Sequence, residues 1–166
     1  MTTSPHNTHE TSMPGQKTPV GWREYIALPD WGPTHIKAKI DTGARTSAID
    51  IVNLVELEDD RVRFELVIDR NHPDQRVVVQ TPIVRRTRVR SSFGARHDRL
   101  IVRTRMRLGP IEKEIELSLV CRKNMLCRML LGRQALAPDL VVDPGRRYLH
   151  GRKPRKKKRP TTEEKT

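Results

Sequence analysis

The stretch Ile36-Lys37-Ala38-Lys39-Ile40-Asp41-Thr42-Gly43-Ala44 decides what fold and what chemistry we expect of this chain. A strand predicted over residues 35–41 delivers Asp41, and a small hydroxyl residue and a glycine follow at once. Gly43 lets the backbone turn sharply beside the acid because it carries no Cβ. The hydroxyl of Thr42 can hydrogen-bond back into the loop and stiffen it. The pattern therefore predicts a carboxylate that is fixed in position by a strand and a tight turn.

A carboxylate of this kind has a chemical use when it meets a second one. Two carboxylates can share a proton around one water molecule, because like charges so close cannot both ionise. One of them then acts as a base on the water, and the other donates a proton to the carbonyl under attack. The chain offers one such carboxylate, Asp41, so an active site would require two copies of the chain. The tripeptide alone also occurs where a strand simply ends in a turn.

Short predicted strands alternate with turn residues through most of the chain. We see no internal repeat and no long amphipathic helix, and one short helix is predicted over residues 133–137. Asn71-His72-Pro73-Asp74 is predicted to be the turn of a hairpin. Many short strands with one helix favour a β-barrel or a β-sandwich. The predicted strands cover residues 22–28, 35–41, 61–69, 75–84, 99–108, 112–120, 129–131, 140–143 and 148–149.

A second motif lies about 90 residues beyond the first and consists of an apolar run, a glycine, an arginine and a helix-like start. It reads Met129-Leu130-Leu131-Gly132-Arg133-Gln134-Ala135-Leu136. The pair of motifs resembles the retropepsins, the single-lobe aspartic proteases of retroviruses. The resemblance implies an all-β closed barrel with one short helix, in which the second motif packs beneath the active-site loop. It also implies that the catalytic residues are Asp41, Thr42 and Gly43.

A closer resemblance covers residues 20–151 and points to one bacterial family. Its members are labelled ATP-dependent zinc proteases, and some are encoded beside the ribosomal-protein glutamate ligase RimK. The residues that carry it are Gly21-Trp22-Arg23-Glu24, the stretch from Lys37 to Ala48, Arg128 to Arg133, and Val142-Asp143-Pro144. The sequence has no HExxH, six scattered histidines and no GxxxxGK[ST] loop. We therefore expect no metal and no cofactor, neither zinc nor ATP.

The resemblance further implies a flap and a set of substrate-binding residues. A hairpin over residues 88–99, with Ser91-Ser92-Phe93-Gly94 at its tip, is the candidate flap; an ordinary mobile hairpin is the alternative. Retropepsins place an aspartate where this chain has Arg45, and that aspartate pairs with the arginine at the position of Arg133. Either an acidic residue bridges these two arginines, or both are free to bind an acidic substrate. The expected substrate-binding residues are Ala44, Arg45, Phe93, Gly94 and Arg133.

The length and charge of the chain set its expected organisation. With 166 residues and 35% hydrophobic content, it has room for one domain plus tails. We predict a disordered tail at 1–19, the domain at 20–150, and a basic disordered tail at 151–166. The net charge is +13, of which residues from Gly151 onward contribute +6. No secretory signal or membrane span is predicted, so a cytoplasmic location is expected.

These observations leave three functions to compare. The first is an aspartic endopeptidase, active as a homodimer, acting on protein or peptide substrates that include acidic or glutamylated ones. The second is a non-catalytic peptide-binding or regulatory module that is associated with a RimK-type glutamate ligase or the ribosome. The third is a nucleic-acid-binding barrel, which would explain the charge but not the two glycine motifs. The basic tail is either a weak ribosome or nucleic-acid anchor or a solubilising end.

Overall fold

Eleven strands and one short helix make up the part of the chain that the computed structural model describes, residues 15–69, 71–90, 94, 96–121 and 126–151. The helix α1 spans Arg133–Leu136, and a single 3₁₀ turn covers Pro29–Trp31. The strands are β1 Thr18–Gly21, β2 Arg23–Ile26, β3 Ile36–Ile40, β4 Ser47–Leu57, β5 Arg61–Asp69, β6 His72–Pro82, β7 Arg85–Arg90, β8 Arg96–Leu108, β9 Ile111–Val120, β10 Met129–Leu131 and β11 Leu140–Asp143.

Nine of these strands form one sheet in the order β2-β3-β10-β4-β9-β8-β7, with β5 and β6 attached through β4. β10 runs parallel to β3, and β4 runs parallel to β9. The other pairs in this sheet are antiparallel. The protein is therefore mostly β with one short helix, as predicted.

The predicted closed barrel is wrong, since the described strands do not close into one. The sheet branches at β4, whose first residues pair with β9 and β10 and whose later residues leave to pair with β5. At the other end, β2 stops at Ile26 before the 3₁₀ turn, and only an isolated bridge between Ala27 and Arg107 links it to β8. A branched sheet with a single bridge replaces the continuous ladder that a barrel requires.

Apolar residues from both sides of the sheet meet in one core. Along β3, Ile36, Ala38 and Ile40 are buried, whereas the lysines between them face outward. This period of two is the pattern of a strand with one buried face. Trp31 packs edge-on against Phe64, with ring centroids 5.4 Å apart, and joins the 3₁₀ turn to the β5 hairpin. No helix of the described residues is long and apolar enough to cross a membrane.

The two ends of the domain are paired with each other in a small separate sheet. β1 runs parallel to β11, with Thr18 opposite Leu140 and Gly21 opposite Asp143. Glu24 is 0% exposed, and its carboxylate accepts hydrogen bonds from the backbone N–H groups of Gly21, Leu149 and His150 at 2.7, 3.0 and 3.4 Å. A buried carboxylate with three peptide donors is well satisfied. It therefore fastens the first strand to the last residues of the domain.

The predicted strand bounds hold for some elements and fail for others. Those of β5, β10 and β11 match, and β1 begins inside the stretch predicted as a tail. β4 was missed because its apolar alternation is interrupted by Asp50 and by a register shift between Val52 and Val55. The strand predicted at 148–149 is wrong, because Tyr148 has a φ of 55° in irregular structure and Leu149 lies in a turn. The predicted 71–74 turn is shorter, since β6 already pairs at His72.

Asp30 fixes the 3₁₀ turn to β8 and gives a prediction about pH. Its carboxylate accepts hydrogen bonds from the backbone N–H of Arg105 at 2.8 Å and from Nε of Arg105 at 2.7 Å. The Arg105 side chain therefore holds the pKa of Asp30 below its ordinary value of 3.8. A lowered pKa in the folded state stabilises the protein above the unfolded pKa, and this contribution is lost as pH falls through the folded pKa.

We expect Asp30→Asn to lower the melting temperature by about 3 to 5 °C at pH 7, because a partly exposed ion pair and a hydrogen bond weaken. The difference from wild type should narrow as the pH falls below 3.8 and Asp30 of the wild type becomes protonated. Thermal unfolding of both proteins between pH 7 and low pH measures this. Asp74→Asn, on an exposed part of β6, is the matched control. A gap between Asp30→Asn and wild type that stays constant down to low pH would contradict the assignment.

Candidate functional site

Asp41 follows β3 directly, and the loop that it begins holds its carboxylate in place. The backbone N–H of Asp41 donates to the carbonyl of Leu131 at 2.9 Å, which continues the pairing of β3 with β10. Its Oδ1 accepts hydrogen bonds from the backbone N–H groups of Gly43 and Ala44 at 3.0 and 3.2 Å. Peptide N–H groups that donate to a carboxylate fix its orientation. In the described residues no hydrogen bond is made to Oδ2, which leaves that oxygen available for chemistry.

The loop opens to solvent on one side. Thr42 and Gly43 are exposed, and Asp41 and Ala44 are half-buried. A Cβ on Gly43 would lie 3.2 Å from Oδ1 of Asp41, so a larger residue would crowd the carboxylate. Gly43 therefore serves close approach as well as the turn, because it leaves room for the acid.

The second motif lies directly against this loop, although about 90 residues separate them in the chain. The backbone N–H of Arg133 donates to the carbonyl of Ala44 at 2.9 Å, and that of Gln134 donates to the carbonyl of Arg45 at 3.1 Å. Gly132 N–H donates to Oγ of Ser47 at 3.0 Å. The structure thus brings together the two motifs that the sequence singled out. It also shows that the start of α1 supports the loop through its backbone.

Arg133 has a role that neither of our two sequence-based alternatives included. Its Nη1 donates to the backbone carbonyls of Thr42 and Gly43, at 2.9 Å each. The Nη1 atom is therefore engaged with the loop, while Arg133 itself is exposed, and its substrate-binding role stays a prediction. Arg45 is exposed, and no carboxylate bridges Arg45 and Arg133 among the residues that the structure describes. The substrate-binding role of Arg45 stays a prediction.

The candidate flap corresponds to the hairpin of β7 and β8. These strands pair from Arg85 opposite Ile101 to Arg90 opposite Arg96. Gly94 is exposed with a φ of 80°, a conformation that glycine adopts without strain. Ser91, Ser92 and Phe93 lie outside the described residues. The contact of Phe93 and Gly94 with substrate therefore stays a prediction.

Sequence reasoning missed Ser47 as a member of this site. It is 2% exposed and follows the Asp41 loop as the first residue of β4. Its position in the stretch Lys37 to Ala48, which carries the family resemblance, was the available signal. A buried serine needs a partner for its hydroxyl, and the Gly132 N–H supplies one.

The described residues contain no group of three His, Cys, Asp or Glu side chains placed to hold a metal ion. One shallow depression of about 420 Å³ lies beside α1. Its lining includes Arg103, which is paired with Glu114 and Glu116 at 3.4 and 3.2 Å. Its charges are thus compensated, and Asp41 does not line it.

The tight contact at Gly132 predicts a large effect of a single methyl group. A Cβ at this position would lie 2.5 Å from the carbonyl oxygen of Thr46 and 3.0 Å from that of Ala44, both backbone atoms. We expect Gly132→Ala to destabilise the protein by about 1–3 kcal/mol, because overpacking forces the backbone to shift. Urea unfolding measures it, and Gly145→Ala, near which only a side-chain atom lies, is the control. Equal stability of the Gly132→Ala protein and wild type would contradict the packing described here.

Comparison with known proteins supplies a family and a fold. The family model described as "RimB-like: Retropepsin-like aspartic endopeptidase RimB" matches residues 19–153. The chain is also similar to a solved structure of a Legionella pneumophila protein of unknown function. That match has a TM-score of 0.68 and 24% sequence identity, and it covers 81% of this chain and 99% of the other. At this identity the match shows the fold alone.

Curated relatives carry a different name. A "Probable alpha-L-glutamate ligase" of Desulfotalea psychrophila is 37% identical over 133 residues, which is 75% of this chain and 28% of the relative. A protein of the same name from Shewanella pealeana is 35% identical over 144 residues, which is 85% of this chain and 31% of the relative. The chain therefore spans about a third of the length of these relatives. Their name describes proteins about three times as long as the matched region.

Proposed function

The chain belongs to the RimB-like family of retropepsin-like aspartic endopeptidases, and on that premise we propose that it hydrolyses peptide bonds as a homodimer. Each chain contributes Asp41 to one shared active site. The observation that carries the proposal is the geometry of this carboxylate. It is held by the N–H groups of Gly43 and Ala44 on a loop that the second glycine motif supports from below.

The proposed reaction uses both carboxylates on one water molecule. The ionised carboxylate takes a proton from the water as the water oxygen attacks the scissile carbonyl carbon. The protonated carboxyl group of the other chain gives its proton to the carbonyl oxygen, which forms a neutral tetrahedral diol. The carboxyl group that took the water proton then gives it to the amide nitrogen, the other carboxylate takes a proton from one hydroxyl of the diol, and the C–N bond breaks. Gly43 and Ala44 keep Asp41 oriented throughout, and Thr42 presents its exposed side chain beside it.

The proposed dimer has its two-fold axis between the two Asp41 loops. The segments near Trp22 and near Tyr148 are candidates for a sheet between subunits. Within one chain, Trp22 N–H donates to the carbonyl of Arg146 at 2.9 Å, and Tyr148 N–H donates to the carbonyl of Arg23 at 2.8 Å. The outer edges of the β1–β11 sheet have no further strand neighbour among the described residues. These edges are where a second copy would add its own strands.

The proposed substrates are acidic or glutamylated proteins. Two observations support this class. The protein has a net charge of +13, which favours association with acidic partners. Its curated relatives are named as glutamate ligases, so the matched region occurs in proteins whose names concern glutamate attachment.

The relatives also support a second candidate function. Because the matched region makes up 28–31% of proteins that are named ligases, a non-catalytic peptide-binding or regulatory module that serves such a ligase is the alternative. The intact Asp-Thr-Gly loop favours catalysis, since a binding module has no chemical need for an oriented carboxylate. A contact with the ribosome or another nucleic acid through the basic tail belongs to this alternative as well.

Incubation of the purified protein with casein and with glutamate-rich peptides across pH 4 to 8 tests the proposal. Product peptides are identified by mass spectrometry, and the particle mass is measured in parallel. Cleavage by a dimer supports the endopeptidase. Tight peptide binding without cleavage, in wild type and in Asp41→Asn alike, supports the regulatory module. Strongly salt-dependent binding to RNA, with neither cleavage nor binding of peptides, would contradict the endopeptidase and the peptide-binding module.

A further inference from the structure

A row of basic side chains leads along β3 to Asp41. Lys37 and Lys39 point away from the buried face that Ile36, Ala38 and Ile40 form. Alternate residues of a strand share one side and lie about 6.6 Å apart. Lys37, Lys39 and Asp41 are alternate residues and therefore lie in a row on the same side of the chain. Lys39 is the lysine nearer to Asp41, at a spacing of about 6.6 Å along the strand.

The neighbouring elements extend this row into a basic face, which we define by Arg23, Tyr25, Lys37, Lys39, Arg147 and Tyr148. Arg23 is paired opposite Lys39, and Tyr25 is opposite Lys37. Tyr148 stacks on Tyr25 with ring centroids 5.2 Å apart, and the guanidinium of Arg147 lies 6.0 Å from the centre of the Tyr148 ring. The face is thus built from two strands and the chain that follows β11.

The charges of the basic face are not compensated within the described residues. Arg23, Lys37, Lys39 and Arg147 make no ion pair there, although Arg23 lies over the ring of Trp22, 4.3 Å from its centre. The arginines of β8 behave differently. Arg103 and Arg107 are each within 3.4 Å of a glutamate of β9. The positive charge of the basic face is therefore not neutralised by carboxylates of the described residues, unlike that of Arg103 and Arg107 on β8.

The aromatic side chains favour an anionic peptide over RNA as the occupant of this face. Base stacking needs a free aromatic face. Arg23 occupies one face of Trp22, and Tyr25 and Tyr148 each use one face to stack on the other, which reduces the aromatic surface that a base could stack on. The face therefore presents ammonium and guanidinium groups, which bind carboxylates. An extended peptide also places alternate side chains at the same spacing as Lys37 and Lys39.

We propose that the basic face binds the carboxylate side chains of an extended acidic peptide, with Lys37 and Lys39 as the residues that set this specificity next to Asp41. The inference rests on the proposed function for its view of Asp41 as the reacting group. The binding step itself does not need cleavage. The two can therefore be tested apart.

The test uses the full chain carrying Asp41→Asn, so that peptide is bound and not consumed. A fluorescent hexaglutamate peptide and a fluorescent hexaglutamine peptide are titrated, and the anisotropy gives each Kd. We expect the glutamate peptide to bind more tightly and to bind about tenfold more weakly when Lys37→Gln and Lys39→Gln are added. Added salt should remove most of that difference. Arg61→Gln with Arg63→Gln on β5 is the matched control, with the same two charges removed from alternate exposed positions.

Three results would overturn the inference. The first is an equal loss in the β5 control, which would mean that net charge alone is responsible. The second is equal binding of the glutamine and glutamate peptides. The third is a hexauridylate that binds more tightly than hexaglutamate and loses affinity with the same lysines. If the expected binding pattern is observed but the wild type cleaves no peptide, binding by the basic face is supported and the protease proposal is contradicted. If the wild type cleaves the glutamate peptide and the Lys37→Gln and Lys39→Gln changes have no effect on cleavage or binding, the protease proposal is supported and the role of the basic face is contradicted.

Discussion

Replacing Asp41 with Asn is expected to lower peptide hydrolysis by about 10³-fold or more, because the shared active site then has no ionisable carboxyl group. The fold should be retained. An asparagine Oδ1 can still accept the two hydrogen bonds from Gly43 and Ala44 that hold the side chain in place. We therefore expect the melting temperature and the particle mass of the variant to equal those of the wild type.

Mixing the two proteins tests whether the active site is shared. If each dimer needs one Asp41 from each chain, wild type refolded with an equal amount of Asp41→Asn forms about one quarter intact dimers by random pairing. Activity per wild-type chain should then fall to about one half. Asp74→Asn, an exposed aspartate on β6, is the control and should not lower it. Unchanged activity per wild-type chain in the mixture would mean that one chain is sufficient, which would refute the shared site.

Removing Arg128 is expected to give the largest loss of stability, about 3–5 kcal/mol for Arg128→Met. The guanidinium makes a direct ion pair with Asp50, whose side chain is 3% exposed, while that of Arg128 is 12% exposed. The strands reinforce the pair, since the backbone N–H of Asp50 donates to the carbonyl of Arg128 at 2.8 Å. Methionine would fill similar space but remove the Arg128 cation from beside a buried carboxylate. Burial raises the pKa of the nearby Cys121 thiol, and the negative charge of Asp50 adds to this effect.

Denaturant unfolding of four proteins measures the effect of this pair. These are the wild type, Arg128→Met, Asp50→Leu and the double variant. We expect the double variant to recover most of the loss, because an apolar pair of similar size carries no desolvation cost. Arg61→Met on the exposed face of β5 controls for the loss of an arginine. If the double variant lost the sum of the two single losses, the ion pair would not be the source of the effect.

The parts of the fold that the sequence predicts are those that local pattern decides. β3 and the turn after it follow from an apolar strand and from Gly43, and β10 with α1 follows from an apolar run and Gly132. The two motifs together resemble the retropepsins, in which they pack against each other. The hydrogen bonds of Ser47, Arg133 and Gln134 show how they do so in this chain. Contacts of this kind are made largely by backbone atoms, which every residue has, so the amino-acid sequence does not reveal them.

The parts that the sequence did not predict depend on long-range partners. The burial of Asp50 in β4 is stabilised by Arg128, 78 residues away in the chain, so the acid within an apolar stretch concealed the strand. The role of Arg133 depends on two carbonyl groups about 90 residues earlier, and nothing in its neighbours indicates them. The branch at β4 arises from a register shift, which alternation alone cannot reveal. In each case tertiary contacts override the local pattern.

The sheet of β1 and β11 means that the polypeptide enters and leaves the domain at one place. His150 Nε2 lies 2.7 Å from the carbonyl oxygen of Pro19, so β1 is in contact with the last described residues. A unit whose ends adjoin can be spliced into a host polypeptide, or detached from one, without its interior being rearranged. Such a domain could keep its active-site loop intact when it is inserted into different host proteins, because both of its connections to the host lie at one place on its surface.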